Sequence, residues 1–266
     1  MSEIFSLAFM QRAMVAGILL GAVSGFLGVF VVQRKMSFLG SGLSHAAFGG
    51  VALGIFLGIE PMFLAIPFTL FVAFMMVFLK KKADISADTS IGILFSVAMA
   101  IGIIFLALNE NYSADAYSYL FGSILNVSAF DLGVVAALSL IIAIVGKVYW
   151  GRWAYSTFDV ELARTSKLPV ETDEYILTLL ISLLIVVSIK VVGMLLLGAF
   201  LVIPAAAARV VSRTFFQMTA LSVAFGASSS IGGLVLSYFV DLPSGAVIIL
   251  LQALLLAALL IAKRVV

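Results

Sequence analysis

Long apolar runs, each near the length of a membrane-crossing helix and each closed by a short charged patch, leave this chain few ways to fold. They fall at roughly Ala13–Val32, Ser44–Ile59, Met62–Leu79, Ser90–Leu108, Asp131–Tyr149, Tyr175–Ile189, Val191–Ala208, Phe216–Phe239 and Ser244–Ala262. A bilayer core takes about 20 helical residues to span. Backbone groups find no water there, so each segment must satisfy them internally, as a helix does. Apolar residues make up 64% of the chain and charged ones 11%, against about 45–50% and 25% in soluble domains. A soluble globule would lack polar cover. The chain is therefore read as an all-α polytopic membrane protein, a single transmembrane domain over residues 1–266 with about nine spans, roughly eight to ten. Tyr117–Val127 is a shorter apolar piece, re-entrant or interfacial, and shifts the count if it crosses. The first run is read as a retained helix rather than a signal peptide.

Basic residues set the orientation. Arg34 with Lys35, Lys80 to Lys82, Lys147 with Arg152, Arg164 with Lys167, Arg209 with Arg213, and Lys263 with Arg264 occupy every second inter-helix position. Glu60, Glu110 with Asp115, and Asp241 lie between them, and Lys190 is the exception. This predicts an N-terminus outside and a C-terminus in the cytoplasm. The small net charge of +2 suggests no nucleic-acid partner. With no cysteine, disulfides, iron–sulfur clusters and thiolate metal sites are excluded.

One histidine, His45, stands between two such runs. An ionisable group there is costly in lipid and usually faces a bundle interior or a water-filled path. If the stretch from Ser37 is helical, Ser37, Ser41 and His45 share one face. Neutral imidazole is the commonest zinc ligand and also suits manganese or iron beside oxygen ligands. One histidine without cysteine cannot build a closed structural zinc site, but a weak transit site is what passage requires. The competing reading is an imidazole hydrogen-bonded to a nearby carbonyl.

Phe158 to Pro169 is mixed in charge and too polar to span. Its spacing predicts a short helix starting near Asp159 and stopped before Pro169, with Val160, Ala163 and Lys167 along one face and Glu161 paired with Arg164. It is either a solvated loop helix or a docking helix for a cytoplasmic protein. Pro204 and Gly232-Gly233 interrupt the later spans, as packing or transport both explain. No phosphate-binding Gly-x-x-x-x-Gly-Lys loop and no Gly-x-Ser-x-Gly turn occurs. The chain is not read as an enzyme. Ser41 and His45 lie too close in sequence to be read as a protease pair.

Ser37-Phe38-Leu39-Gly40-Ser41-Gly42-Leu43-Ser44-His45, continuing to Gly54, and Val192-Gly193-Met194, continuing through Pro204 to Arg209, resemble signature stretches of the permeases of zinc/manganese/iron ABC importers. Asp159–Leu168 is similar in place and character to the stretch with which that family contacts its ATPase. The resemblance implies a type II ABC importer-like fold in the cell membrane, moving a divalent metal ion into the cytoplasm. It also implies a homodimer carrying two copies of a separate ATPase and fed by an extracytoplasmic metal-binding protein. This chain would bind no cofactor of its own. Residues about 155–170 would dock the ATPase through Asp159, Glu161 and Arg164, and His45 with Ser41 would form a weak metal transit site.

One departure stands out. The family pattern Gly-Asp-x-Leu-Ser-His reads Gly40-Ser41-Gly42-Leu43-Ser44-His45 here, so a carboxylate ligand is replaced by a hydroxyl. Glu60 is a compensating candidate, but lies about 22 Å further along at 1.5 Å per residue. Asp131 is another, with a competing role as a helix N-cap. The lost carboxylate keeps a chelate permease (siderophore or cobalamin type) open as an alternative. A secondary transporter is disfavoured by the scarcity of carboxylates within spans.

Overall fold

The computed structural model describes residues 7–83, 85–109, 127–194 and 197–265. These form α1 (Ala8–Gln33), α2 (Leu39–Leu57), α3 (Pro61–Lys82), α4 (Ala87–Ala107), α5 (Ala129–Phe158), α6 (Val160–Thr165), α7 (Val170–Val192), α8 (Leu197–Val211), α9 (Phe215–Val240) and α10 (Ser244–Val265). Among the described residues, eight helices are long and apolar enough to cross a membrane, and α8 is a shorter apolar one. This is an all-helical, multi-pass membrane protein. The Tyr117–Val127 piece lies, up to Asn126, outside the described residues, as do Glu110 and Asp115.

Helix boundaries follow local chemistry. Between α1 and α2 the chain turns within five residues, because Lys35 takes a left-handed φ of 56° and Met36 N–H reaches back to the Val31 carbonyl at 2.9 Å, closing the end of α1. Gly58 does the same after α2 at φ 67°, where only glycine is free of strain. Thr214 caps α9 by accepting from Gln217 N–H at 3.2 Å. Ser128 and Asp131 form a reciprocal capping box at the start of α5.

Three expectations are corrected. The second span begins at Leu39 rather than Ser44, and Ser37 lies in the turn before it, so the polar stripe contracts to Ser41 and His45. The Val191–Ala208 span is divided: Val191 and Val192 finish α7, Gly193 breaks the helix at φ 87° and ψ 144°, and α8 then runs for 15 residues through Pro204. At 1.5 Å per residue, α8 is about 23 Å long, short of the roughly 30 Å hydrocarbon core. The surface helix ends at Thr165, and Lys167 adopts a left-handed φ of 59°, so Lys167 does not continue the face of Val160 and Ala163.

The core of the bundle is α1, α2 and α7, whose spanning windows are mostly buried. α1 packs on α9 with backbone against backbone. A Cβ on Gly21 would fall 2.3 Å from the Gly226 carbonyl oxygen, and one on Gly226 2.1 Å from that of Gly21. One turn on, Gly25 meets Ser222, whose hydroxyl donates to the Gly25 carbonyl at 2.6 Å. Small residues bring membrane helices this close, and a hydrogen bond across the seam adds about 0.6 kcal/mol. Substituting Gly25→Leu should separate α1 from α9 and destabilise the fold by about 1–3 kcal/mol or more. Thermal unfolding in detergent should show a lowered midpoint relative to Ala22→Leu, a control on the same helix.

Candidate functional site

The arrangement of α2 decides what His45 can reach. Gly40 lies 3.0 Å (from its notional Cβ) from the Gly198 Cα of α8, and a Cβ on Gly198 would meet Ser41 N at 2.9 Å. Gly42 meets Ile91 of α4, Gly49 meets the Ala98 carbonyl, Gly50 meets Ala65 of α3, and Gly54 meets Pro61. Glycine thus lets three neighbours close on α2. Ser41 and His45, one turn apart, stay half-buried between the α8 and α4 contacts.

The His45 ring sits edge-on against Phe95 of α4, with centroids 5.4 Å apart and planes at 75°. Phe95 also meets Phe38 at 6.3 Å. The adjacent Ser44 is buried, and its hydroxyl donates to the Ser41 carbonyl at 2.9 Å. Aromatic contacts therefore orient the imidazole. Among the described residues, no three His, Cys, Asp or Glu side chains gather as a metal cage.

Neither candidate carboxylate joins this face. Glu60 sits before α3, beyond the left-handed Gly58. Asp131 is the third residue of α5, bonded to Ser128 and paired with Lys190 of α7 at 2.9 Å. The expected N-cap role belongs to Ser128, with Asp131 as its capping-box partner. The same pair accounts for Lys190, the lysine at the otherwise acidic end of the bundle.

At the opposite, basic end, α6 follows α5 directly. Asp159 caps it by accepting from Leu162 N–H at 2.8 Å, and Arg164 pairs with Glu161 at 3.3 Å. Both partners of that pair are exposed. Ala163 is buried and anchors the helix, while Phe158, Val160 and Leu162 are exposed apolar residues. α6 thus offers solvent a small mixed surface of apolar and charged groups.

What holds α6 in place was not anticipated from the sequence. The Arg34 guanidinium, at the end of α1, donates to Thr157 Oγ1 at 2.9 Å and Ser156 Oγ at 3.2 Å. Burial pulls the Arg34 pKa below the usual arginine value, while Glu174 and Asp173 draw it back up. Arg152 grips the buried Asp173 carboxylate with two bonds, at 2.6 and 3.0 Å. Lys80 pairs with Glu174, and Lys81 with Glu171 at 3.5 Å. The signal was present in the acidic run Glu171-Thr172-Asp173-Glu174 facing three basic clusters, but the pairing needed the fold. Arg34, Ser156, Thr157, Lys80, Lys81, Glu171 and Glu174 border a cleft of about 580 Å³ beside α6.

A bundle of spanning helices, with a half-buried histidine face inside and a small exposed helix at its basic end, has the form of a membrane transport subunit. The chain belongs to the ABC 3 transport family, whose pattern matches residues 6–263. It is 37% identical to the high-affinity zinc uptake system membrane protein ZnuB of Haemophilus influenzae, over 91% of this chain and 93% of that one. It is 34% identical to the manganese import system permease protein ScaB of Streptococcus gordonii, over 93% and 88%. Among solved structures it resembles PsaBC from Streptococcus pneumoniae in complex with Fab, with a TM-score of 0.85 and 32% identity over 97% of this chain and 93% of that one. In fold it is also similar to a solved structure described as an inward-facing conformation of a putative metal-chelate type ABC transporter, with a TM-score of 0.77 at 16% identity, covering 98% of this chain and 88% of that one.

Replacing Arg152 by Gln leaves the Asp173 carboxylate buried without its partner, a change that typically costs about 3–5 kcal/mol. Arg152→Gln should lower the unfolding midpoint markedly, and adding Asp173→Asn should restore part of it. Equal stability of Arg152→Gln and the parent would show that the pair does not hold α5 to α7.

Proposed function

We propose that this chain is the membrane-spanning permease subunit of an ABC importer that carries a divalent metal ion, zinc, manganese or iron, into the cytoplasm. Similarity along nearly the whole chain to relatives named as a zinc uptake system membrane protein and a manganese import system permease protein carries the reading. Two copies of the chain form the pathway in the cell membrane, with the N-terminus outside and the C-terminus inside. Two copies of a separate ATPase supply the energy, and an extracytoplasmic binding protein delivers the ion. The ATP chemistry then lies on another polypeptide.

The cargo meets His45 and Ser41 on the half-buried face of α2. A single imidazole nitrogen with a hydroxyl binds a divalent ion weakly, and weak binding permits release. On the cytoplasmic side α6 docks the ATPase through Asp159, Glu161 and Arg164, with Leu162 and Val160 as apolar contacts. The ties from Arg34 and Arg152 to the end of α5 and the start of α7 make α6 a rigid lever, so that ATPase motion reaches the spanning helices.

Vesicles containing the permease, its ATPase and the binding protein test this directly. ATP-dependent accumulation of zinc, manganese or iron is expected, with His45→Ala losing most uptake while ATPase binding stays intact. Glu161→Lys with Arg164→Glu should weaken ATPase binding about thirty-fold, as for loss of an interface hot spot of about 2 kcal/mol. An assembled, ATP-hydrolysing complex that moves no free ion would refute the metal reading and point to a chelate, the alternative raised by Ser41.

A further inference from the structure

The outer surface of the bundle carries a second feature, remote from His45. Between α1, α5 and α9 it is indented by an apolar groove of about 460 Å³ whose walls include Phe26, Ala143 and Ala220. The absence of a side chain at Gly146 sets its depth, since a Cβ there would fall 2.7 Å from the Phe26 ring. At one end the lining changes character, to Lys147, Trp150 and Phe216. Phe216 is the second residue of α9 and follows Arg209, in the last turn of α8, and Arg213, in the turn between the two helices. The groove therefore opens at the basic end of the bundle, where spans meet the membrane surface.

Lys147 is exposed. Lys80, Lys81, Arg152, Arg164 and Lys190 each pair with a carboxylate, but among the described residues no acid pairs with Lys147. An ammonium at that depth reaches along its stem for an anion at the interface, and tryptophan sits by preference at the same level. Basic pockets between spanning helices on the cytoplasmic side are suited to anionic head groups. Burying this unpaired charge against a second protein surface would instead cost desolvation without a partner.

We propose that the groove binds one anionic phospholipid of the surrounding bilayer, with an acyl chain along Phe26, Ala143 and Ala220 and the phosphate on Lys147. The site rests on the orientation proposed above only for the leaflet that supplies the lipid. Its readout needs no transport, so it fails or stands apart from the importer reading.

Native mass spectrometry of the delipidated permease, titrated with phosphatidylglycerol, phosphatidylcholine or soluble glycerol phosphate, tests the proposal. Phosphatidylglycerol should be retained in preference to phosphatidylcholine, and Lys147→Gln should reduce that preference about five-fold, the value of one lysine near an anionic surface. Ala143→Trp, or Ala220→Trp from the opposite wall, should fill the groove and remove retention of either lipid. Equal retention of the two lipids by the parent, or unchanged retention in the groove-filling variants, would overturn the proposal. Glycerol phosphate binding as tightly as phosphatidylglycerol would reduce the site to a phosphate contact and overturn the lipid assignment. Disulfide formation between Ala143→Cys residues of two copies would give the groove to a second copy instead.

Discussion

Helices already in lipid gain little by hiding apolar side chains from one another, so close backbone contact has to hold this bundle together. That contact occurs where glycine meets glycine or serine. Gly21 and Gly25 of α1 lie on Gly226 and Ser222 of α9, and Gly40 and Ser41 of α2 lie on Gly198 of α8. The features on which the proposed function rests are hung from these seams. The α2–α8 seam places the only histidine of the chain against Phe95 and fixes which face of α2 stays half-covered. The α1–α9 seam fixes α1, and the end of α1 carries Arg34 to the root of α6.

The two stretches that resemble one family's signatures are separated by more than a hundred residues, yet they are two sides of one contact. Gly198 is needed because a Cβ there would fall 2.9 Å from the Ser41 backbone nitrogen. A side chain at either glycine would displace the helix bearing His45. The resemblance therefore has a packing cause beside any role in transport, and Ser41 lies at that contact. A serine there keeps the helix contact while removing the charge that an aspartate would bring.

Periodicity and run length made most of the fold legible, because spanning helices announce themselves in hydropathy alone. The Ser41–His45 spacing and the Asp159 cap were equally readable, since both are local. Three features were hidden for physical reasons. The break at Gly193 lies inside an unbroken apolar run, and only its positive φ divides the helix. Lys190 looked misplaced because its partner, Asp131, is 59 residues away. The start of α2 was placed late because Gly40, Ser41 and Gly42 dilute its hydropathy, although glycine is what allows it to pack. The pairing of Arg152 with Asp173 and of Lys80 with Glu174 likewise emerges only when α3, α5 and α7 converge.

The proposed transit of the ion past His45 requires the Ser41–His45 face of α2 to border an aqueous path that opens and closes as the transporter works. Because the chain has no cysteine of its own, a single introduced thiol reports on water access without background. His45→Cys and, as a control from the middle of α5, the exposed Leu140→Cys should be treated with a membrane-impermeant maleimide in the assembled transporter, with and without ATP. Labelling is expected at position 45 in one nucleotide state, protection in the other, and none at position 140 in either. Labelling at 45 that never exceeds the level at 140 would leave His45 a packing residue beside Phe95 and no path along this face.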